Sequence, residues 1–169
     1  MATLVGNDSS AQTVGDTSSV STETWYFETG YTASATGTAD TANIRIHTLV
    51  AGTECRIGVY DSGKNLLATS AAVPVSATGW QSATISVAIS NGALYYLAIK
   101  GNGYIQPYLD SGGFLRGTGA TSTYPTLPDP MGGTVGNSGG NNIAIYLSGP
   151  TSDTIAPIPA TPLVGNLRW

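Results

Sequence analysis

The sequence predicts an all-β domain, and two observations support this fold class. Period-two alternation of apolar and polar residues and short apolar runs recur along the chain, and no long segment carries apolar residues at helical spacing. Serine and threonine contribute 17 and 23 residues, while 22 glycines and 9 prolines interrupt the chain repeatedly. Such a composition suits short strands joined by turns.

Eight segments carry the strand pattern. The candidate strands are Glu23–Thr29, Ala42–Val50, Glu54–Tyr60, Leu66–Ser70, Gln81–Ile89, Leu94–Lys100, Tyr104–Leu109 and Asn142–Ser148, with an additional one near Thr3–Gly6. In the second candidate, Ile44 and Ile46 share one face. Asn43, Arg45 and His47 share the other face, which predicts one buried and one hydrated side. About eight short strands at this spacing predict a single jelly-roll-like antiparallel β-sandwich.

Two turns and one long loop separate the predicted strands. Asp61–Lys64 predicts a hairpin in which Gly63 takes a positive φ, and Asn91-Gly92 predicts a second hairpin. Between Ser111 and Asn141 the chain is rich in glycine and proline, which predicts a loop of unusual length.

The length of 169 residues suits one core. We expect residues 1–148 to form the β-sandwich domain and residues 149–169 to form an extended Pro-rich tail. The proline residues of the tail alternate with apolar residues, so this segment is predicted to be extended rather than helical.

Charge and cysteine content exclude several classes of function. Charged residues make up 9% of the chain and the net charge is −4, so no basic cluster can neutralise successive phosphates of a nucleic acid. The apolar runs are too short for a membrane-spanning helix, so we expect no membrane insertion. The single cysteine, Cys55, alternates with charged neighbours and is predicted to fill the core.

No metal, cofactor or catalytic site is expected. The segment Asp61–Asn65 lacks the ligand series of a calcium loop and is better explained as a hairpin turn. Gly136–Gly140 resembles the nucleophile loop of chymotrypsin-like proteases, which offers Ser138 as a nucleophile with His47 as its base. His47 lies in a predicted strand without the family's usual setting, so a serine hydrolase is the weakest of three functional hypotheses.

Several short patterns carry a resemblance to a known group of domains. They are Ile44-Arg45-Ile46, Gly58–Gly63 leading into Leu66–Thr69, Gly79-Trp80-Gln81 and Leu94–Ile99. Together they resemble the jelly-roll modules, mostly of unassigned function, found in phage virion proteins and bacterial cell-surface proteins. The resemblance covers about a third of the chain, and one such fold hosts unrelated tasks.

The resemblance implies a virion surface or an extracellular location. Residues Met1–Asp8 lack the basic and apolar segments of a secretory signal. A phage protein needs no such signal, because lysis releases it. The first hypothesis is therefore a non-enzymatic structural or assembly protein, for example a capsid decoration or tail-associated module.

The tail provides the partner-binding candidates for this hypothesis. They are Ile155, Ile158, Leu163, Val164, Leu167 and Trp169. A proline-rich segment loses little entropy on docking, and Trp169 would serve as an aromatic anchor. We expect a homo-oligomer or a complex with other virion or surface subunits. Packing along its own domain and a disordered linker are the alternatives for the tail.

Exposed aromatic residues support a second hypothesis, a carbohydrate-binding adhesin module. Tyr104 and Tyr108 flank Ile105–Pro107, and Tyr124 lies in the long loop. All three are candidates for stacking on sugar rings of a cell-surface glycan at one end of the sandwich. The other aromatic residues, including Trp80 and Tyr95, are predicted to pack in the core or on a sheet face.

Overall fold

A computed structural model describes residues 1–9, 24–27, 29–50, 53–111, 116–118, 122–132, 135–136 and 141–152. Within them the chain forms fifteen strands and no helix. The strands are β1 (Ala2–Gly6), β2 (Trp25–Phe27), β3 (Tyr31–Thr32), β4 (Gly37–Leu49), β5 (Thr53–Tyr60), β6 (Leu66–Thr69), β7 (Val73–Val75), β8 (Gly79–Ile89), β9 (Leu94–Gly101), β10 (Ile105–Pro107), β11 (Leu109–Ser111), β12 (Arg116–Thr118), β13 (Val135–Gly136), β14 (Asn141–Ile143) and β15 (Ile145–Gly149).

Two antiparallel sheets form a sandwich-like arrangement, which confirms the predicted all-β sandwich. The front sheet has the order β1-β15-β4-β10, with β8 along the opposite side of β4. The back sheet has the order β13-β12-β2-β9-β5-β6, with β3 beside β9 and β7 beside β5. Strands β11 and β14 form a separate two-stranded ribbon.

The core lies between the two sheets and follows the period-two alternation of their central strands. Ile44 and Ile46 of β4 are fully buried, as the sequence predicts. Ile57 and Leu97 of the back sheet are also fully buried and belong to the same cluster. Burial of apolar side chains from both sheets is the main contribution to the stability of such a sandwich.

The predicted Asn91-Gly92 hairpin is wrong, although a turn does form there. Ala93 donates its backbone N–H to the Ser90 carbonyl at 3.1 Å, and Gly92 has a φ of 77°. Strands β8 and β9, which this turn joins, belong to the front and back sheets respectively. The turn therefore carries the chain across the sandwich instead of reversing it within one sheet.

The hairpin at Asp61 is confirmed, because β5 and β6 pair antiparallel on either side of it. The residue with positive φ is Lys64, at 64°, and not Gly63 as the sequence suggested. The Asp61 carboxylate accepts hydrogen bonds from the backbone and side-chain nitrogens of Asn65, which hold the turn closed. These hydrogen bonds lower the pKa of Asp61.

The segment between Ser111 and Asn141 is more structured than a single long loop. It contains β12 and β13, and residues 122–132, which we call the strap, pack on the outer face of the back sheet. The predicted strand Asn142–Ser148 is divided into β14, which pairs with β11, and β15, which pairs with β1 and β4. The division occurs at Ala144, whose N–H donates to the Tyr108 carbonyl at 3.0 Å.

One isolated backbone hydrogen bond is made on each long side of the front sheet. On one side, Ser34 donates its N–H to the Leu4 carbonyl of β1 at 2.8 Å. On the other side, Ala71 donates its N–H to the Thr84 carbonyl of β8 at 2.9 Å. The register of β1 against β15 also shifts between Thr3 and Val5, which marks a bulge.

Truncating Leu97 should destabilise the sandwich strongly, because its side chain is fully buried between the sheets. We expect Leu97→Ala to lower the free energy of unfolding by about 3–5 kcal/mol. The matched control is Leu67→Ala, since Leu67 is 47% exposed, and we expect a change within about 0.5 kcal/mol there. Urea unfolding of both variants measures the difference. Equal effects would show that Leu97 is not in the core.

The thiol of Cys55 should be unreactive in the folded protein. The side chain is fully buried, which confirms its predicted place in the core, and burial raises the pKa of Cys55 to about 12. At mildly alkaline pH the thiol is therefore protonated as well as shielded. We expect Ellman's reagent to label it only after unfolding in guanidinium chloride. Rapid labelling of the native protein would contradict this placement.

Candidate functional site

The outer face of the front sheet carries a row of aromatic and polar side chains on three neighbouring segments. Trp80 of β8 lies directly opposite Arg45 of β4, and Tyr146 of β15 lies opposite Asn43. Directly opposed residues of an antiparallel pair point to the same side of a sheet. Tyr108 joins this side, since its ring contacts the side chains of Arg45 and His47.

Ring contacts join these side chains in two groups on one side of the sheet, which we together call the aromatic face (Trp80, Tyr146, Arg45, Tyr108 and His47). The Trp80 and Tyr146 rings meet edge to face, with centroids 5.0 Å apart. Arg45 places its Cζ atom 4.2 Å from the Tyr108 ring centroid, and His47 meets Tyr108 edge to face at 5.0 Å. Edge-to-face and cation–π contacts both fix ring orientation.

Short polar side chains border the aromatic face. Asn43 lies between Tyr146 and Ser82 across the sheet and donates its side-chain N–H to the Ser148 hydroxyl at 3.2 Å. Its exposed fraction is only 9%, whereas Ser82 and Thr84 of β8 are exposed. The face therefore combines ring surfaces with hydroxyl and amide groups.

One acidic group lies near the aromatic face. Burial and the charge of Asp8 together raise the pKa of Tyr146. The Asp8 carboxylate accepts a hydrogen bond from the Thr3 hydroxyl at 2.7 Å. Like any tyrosine at neutral pH, Tyr146 is protonated and has a hydroxyl group that can donate a hydrogen bond.

The back sheet differs, because the strap packs against its outer face. Leu127 and Met131 of the strap are 4% and 3% exposed and form a second small core with Tyr60 and Ala98. The Tyr60 hydroxyl donates to the Pro128 carbonyl at 2.9 Å, and burial followed by the charge of Asp129 raises the pKa of Tyr60 well above its usual range. Apolar packing and a buried hydrogen bond thus hold the strap on the sheet.

Tyr124 begins the strap's contact with the back sheet. Its hydroxyl donates to the Glu54 carboxylate at 2.7 Å. Burial and then this hydrogen bond raise the pKa of Tyr124 to about 12. Tyr124 thus makes a polar contact that orients the strap on β5.

The structure does not bring the three predicted sugar-stacking tyrosines into one site. Tyr108 lies on the outer face of the front sheet, while Tyr124 lies against β5 of the back sheet. Tyr104 is 38% exposed in the connection between β9 and β10, where its carbonyl accepts a hydrogen bond from the Val50 N–H. Of the three, only Tyr108 belongs to the aromatic face.

The other residues named from the sequence are the proposed catalytic residues and the partner-binding residues of the tail. The His47 Nδ1 atom lies 2.7 Å from the Thr48 hydroxyl, and its ring contacts Tyr108. The proposed nucleophile Ser138 and the tail candidates lie outside the described residues. The tail candidates are Ile155, Ile158, Leu163, Val164, Leu167 and Trp169.

Trp80 and Tyr146 were not among the residues nominated from the sequence as sugar-binding candidates. The alternation of β8 places Trp80 on the same side as Ser82 and Thr84, but alternation alone does not say which side is buried at the end of a strand. Tyr146 alternates with Ile145 and Leu147, which are fully buried. The sequence therefore indicates that Tyr146 faces outward, but it does not indicate that Trp80 is its ring partner.

Three other features are absent from the described part of the chain. No group of histidine, cysteine and acidic residues in this part of the chain is arranged to hold a metal ion. The same residues form no concave pocket. They also contain no helix with the length and apolar character needed to cross a membrane.

Comparison of the chain with protein-family models, with curated protein sequences and with solved structures finds no match.

Proposed function

We propose that this chain is a non-enzymatic structural or assembly protein of a virion or of an extracellular surface. In this proposal its jelly-roll-like sandwich is a rigid body, and the segments at its two ends dock on neighbouring subunits. Capsid decoration and association with a phage tail are the two forms of this role.

The observation that carries the proposal is the pairing of the first strand with the last described strand. β1 and β15 are antiparallel neighbours, with Ala2 opposite Gly149. Thr151 forms a bridge with Gly37, and Ser152 donates its N–H to the Thr36 carbonyl at 2.8 Å. Met1, which is 90% exposed, and Ser152 therefore lie at the same end of the front sheet. Met1 and the chain beyond Ser152 can therefore contact the same neighbour.

The composition supports a docking role that depends on apolar and hydroxyl groups. Charged residues make up 9% of the chain, so long-range charge steering contributes little to partner choice. Beyond Ser152 the sequence offers six apolar side chains among prolines, a pattern that binds with a low entropic cost. These side chains are Ile155, Ile158, Leu163, Val164, Leu167 and Trp169.

The carbohydrate-binding adhesin module remains the second candidate. The position of Tyr108 on the aromatic face favours it, since that face combines rings with hydroxyl and amide groups. The two candidates differ in the residues that they require: assembly depends on the tail, and glycan binding depends on the front sheet.

Light scattering after size exclusion tests the assembly role. We expect the full chain to elute at a multiple of 17.2 kDa, because symmetric association is usual for such modules. The double variant Leu163→Asp/Trp169→Ala removes two apolar anchors of the tail and should elute as the monomer. The control is Leu67→Asp, since Leu67 is exposed on β6 of the sandwich, and it should retain the oligomer.

A second comparison uses a chain that ends at Ser152. β15 runs to Gly149 and Thr151 still contacts Gly37, so this truncation keeps the last described backbone contacts. We expect it to be monomeric. A truncated chain that keeps the full oligomer would show that the tail is not the assembly element, and a monomeric full chain would contradict self-assembly.

A further inference from the structure

The aromatic face has the chemistry of a surface that binds sugar rings. A pyranose ring exposes C–H groups on its two faces and hydroxyl groups around its rim. Aromatic rings can pack against the C–H groups, and short polar side chains nearby can exchange hydrogen bonds with the hydroxyl groups. The aromatic face provides both kinds of group on one side of one sheet.

The rings of the aromatic face are held in place before any ligand arrives. Trp80 is 36% exposed, and its edge-to-face contact with Tyr146 has an interplanar angle of 77°. Tyr108 is held between Arg45 and His47 by a cation–π contact and an edge-to-face contact. Ring positions that are set in advance lower the entropic cost of binding.

The length and shape of the face favour an extended ligand. Asn43, Arg45 and His47 follow one another at every second position of β4 and so span about 13 Å along the strand. The described residues form no concave pocket, so a ligand would lie along the sheet instead of inserting one end. These features suit several linked sugar units better than a single monosaccharide.

We propose that the aromatic face binds a polysaccharide or a glycan chain built of pyranose units, with Trp80 and Tyr146 as the ring contacts and Ser82 and Arg45 as polar contacts. This proposal rests on the second candidate function and deepens it, and it moves the sugar-stacking site from Tyr104 and Tyr124 to the front sheet.

A nucleic acid fits the aromatic face less well than linked sugars do. It requires several cations placed along its phosphates, whereas Arg45 is the one permanently positive side chain of the face. Tryptophan, tyrosine and arginine are also common in protein interfaces, so binding of a protein to this face is one of the outcomes that the test below distinguishes.

Affinity electrophoresis of the full chain tests the proposal directly. Native gels would contain one polysaccharide each: neutral hydroxyethylcellulose, dextran or mannan, or acidic polygalacturonate, alginate or hyaluronan. We expect at least one polysaccharide to retard the protein. Retardation by neutral gels would identify stacking as sufficient. Retardation by acidic gels alone would show that a positive charge also contributes, and Arg45 is the positive side chain that this face offers.

Substitutions in the aromatic face test whether the polysaccharide binds there. We expect Trp80→Ala and Tyr146→Ala each to raise the dissociation constant about tenfold, the upper range for loss of one ring contact. Trp80→Phe keeps a ring and should retain most of the retardation. The control is Tyr104→Ala, which removes a similarly exposed ring outside the aromatic face and should behave as the unmodified chain. Circular dichroism of each variant checks that the sandwich is folded.

Three outcomes would overturn the proposal. They are the absence of retardation in every gel, retardation that Trp80→Ala and Tyr146→Ala leave unchanged, and retardation that only Tyr104→Ala removes. If instead Trp80→Ala dissolves an oligomer of the full chain, the aromatic face is a protein interface and not a glycan site. Because the assembly test changes only the tail, failure of either proposal is distinguishable from failure of the other.

Discussion

Strand β4 (Gly37–Leu49) is the constraint on which the rest of the structure depends. Its backbone pairs with β8 along one side and with β15 and β10 along the other. Because the strand alternates, the same hydrogen bonds place Ile44 in the core and Arg45 on the outer face. A slip of one residue would exchange these two sides. Core burial and the geometry of the aromatic face are therefore set by a single register.

Alternation in the sequence predicted the positions of most long strands, but not how far they extend. β4 begins at Gly37, before the predicted Ala42, because the residues between them are small or polar and show no strong apolar period. The turn at Asn91-Gly92 was recognised from its residues, but its role was not. The residue types of a turn indicate that the chain changes direction there. They do not indicate which sheet the next strand joins, because that depends on pairing with strands far away in the sequence.

The candidate site was less predictable than the fold. Tyr108, named from the sequence as a sugar-stacking candidate, lies on the outer face of the front sheet. Its neighbours come from strands that are distant in the sequence, and the register of these strands decides which rings meet. Leu127 and Met131 were missed as core residues because they lie in a segment rich in glycine and proline, where no period reveals a buried side. In both cases the missing information is tertiary contact, not local preference.

The edges of the front sheet affect how strongly the protein aggregates at high local concentration. Exposed strand edges promote edge-to-edge aggregation, and many proteins block them with lysine or with net charge. This chain has few charges, and the front sheet carries backbone features instead: a bulge in β1 and Pro107 in β10. Such blocking does not depend on charge repulsion and should persist when salt screens it. These features therefore limit pairing between the front-sheet edges of neighbouring molecules at high concentration.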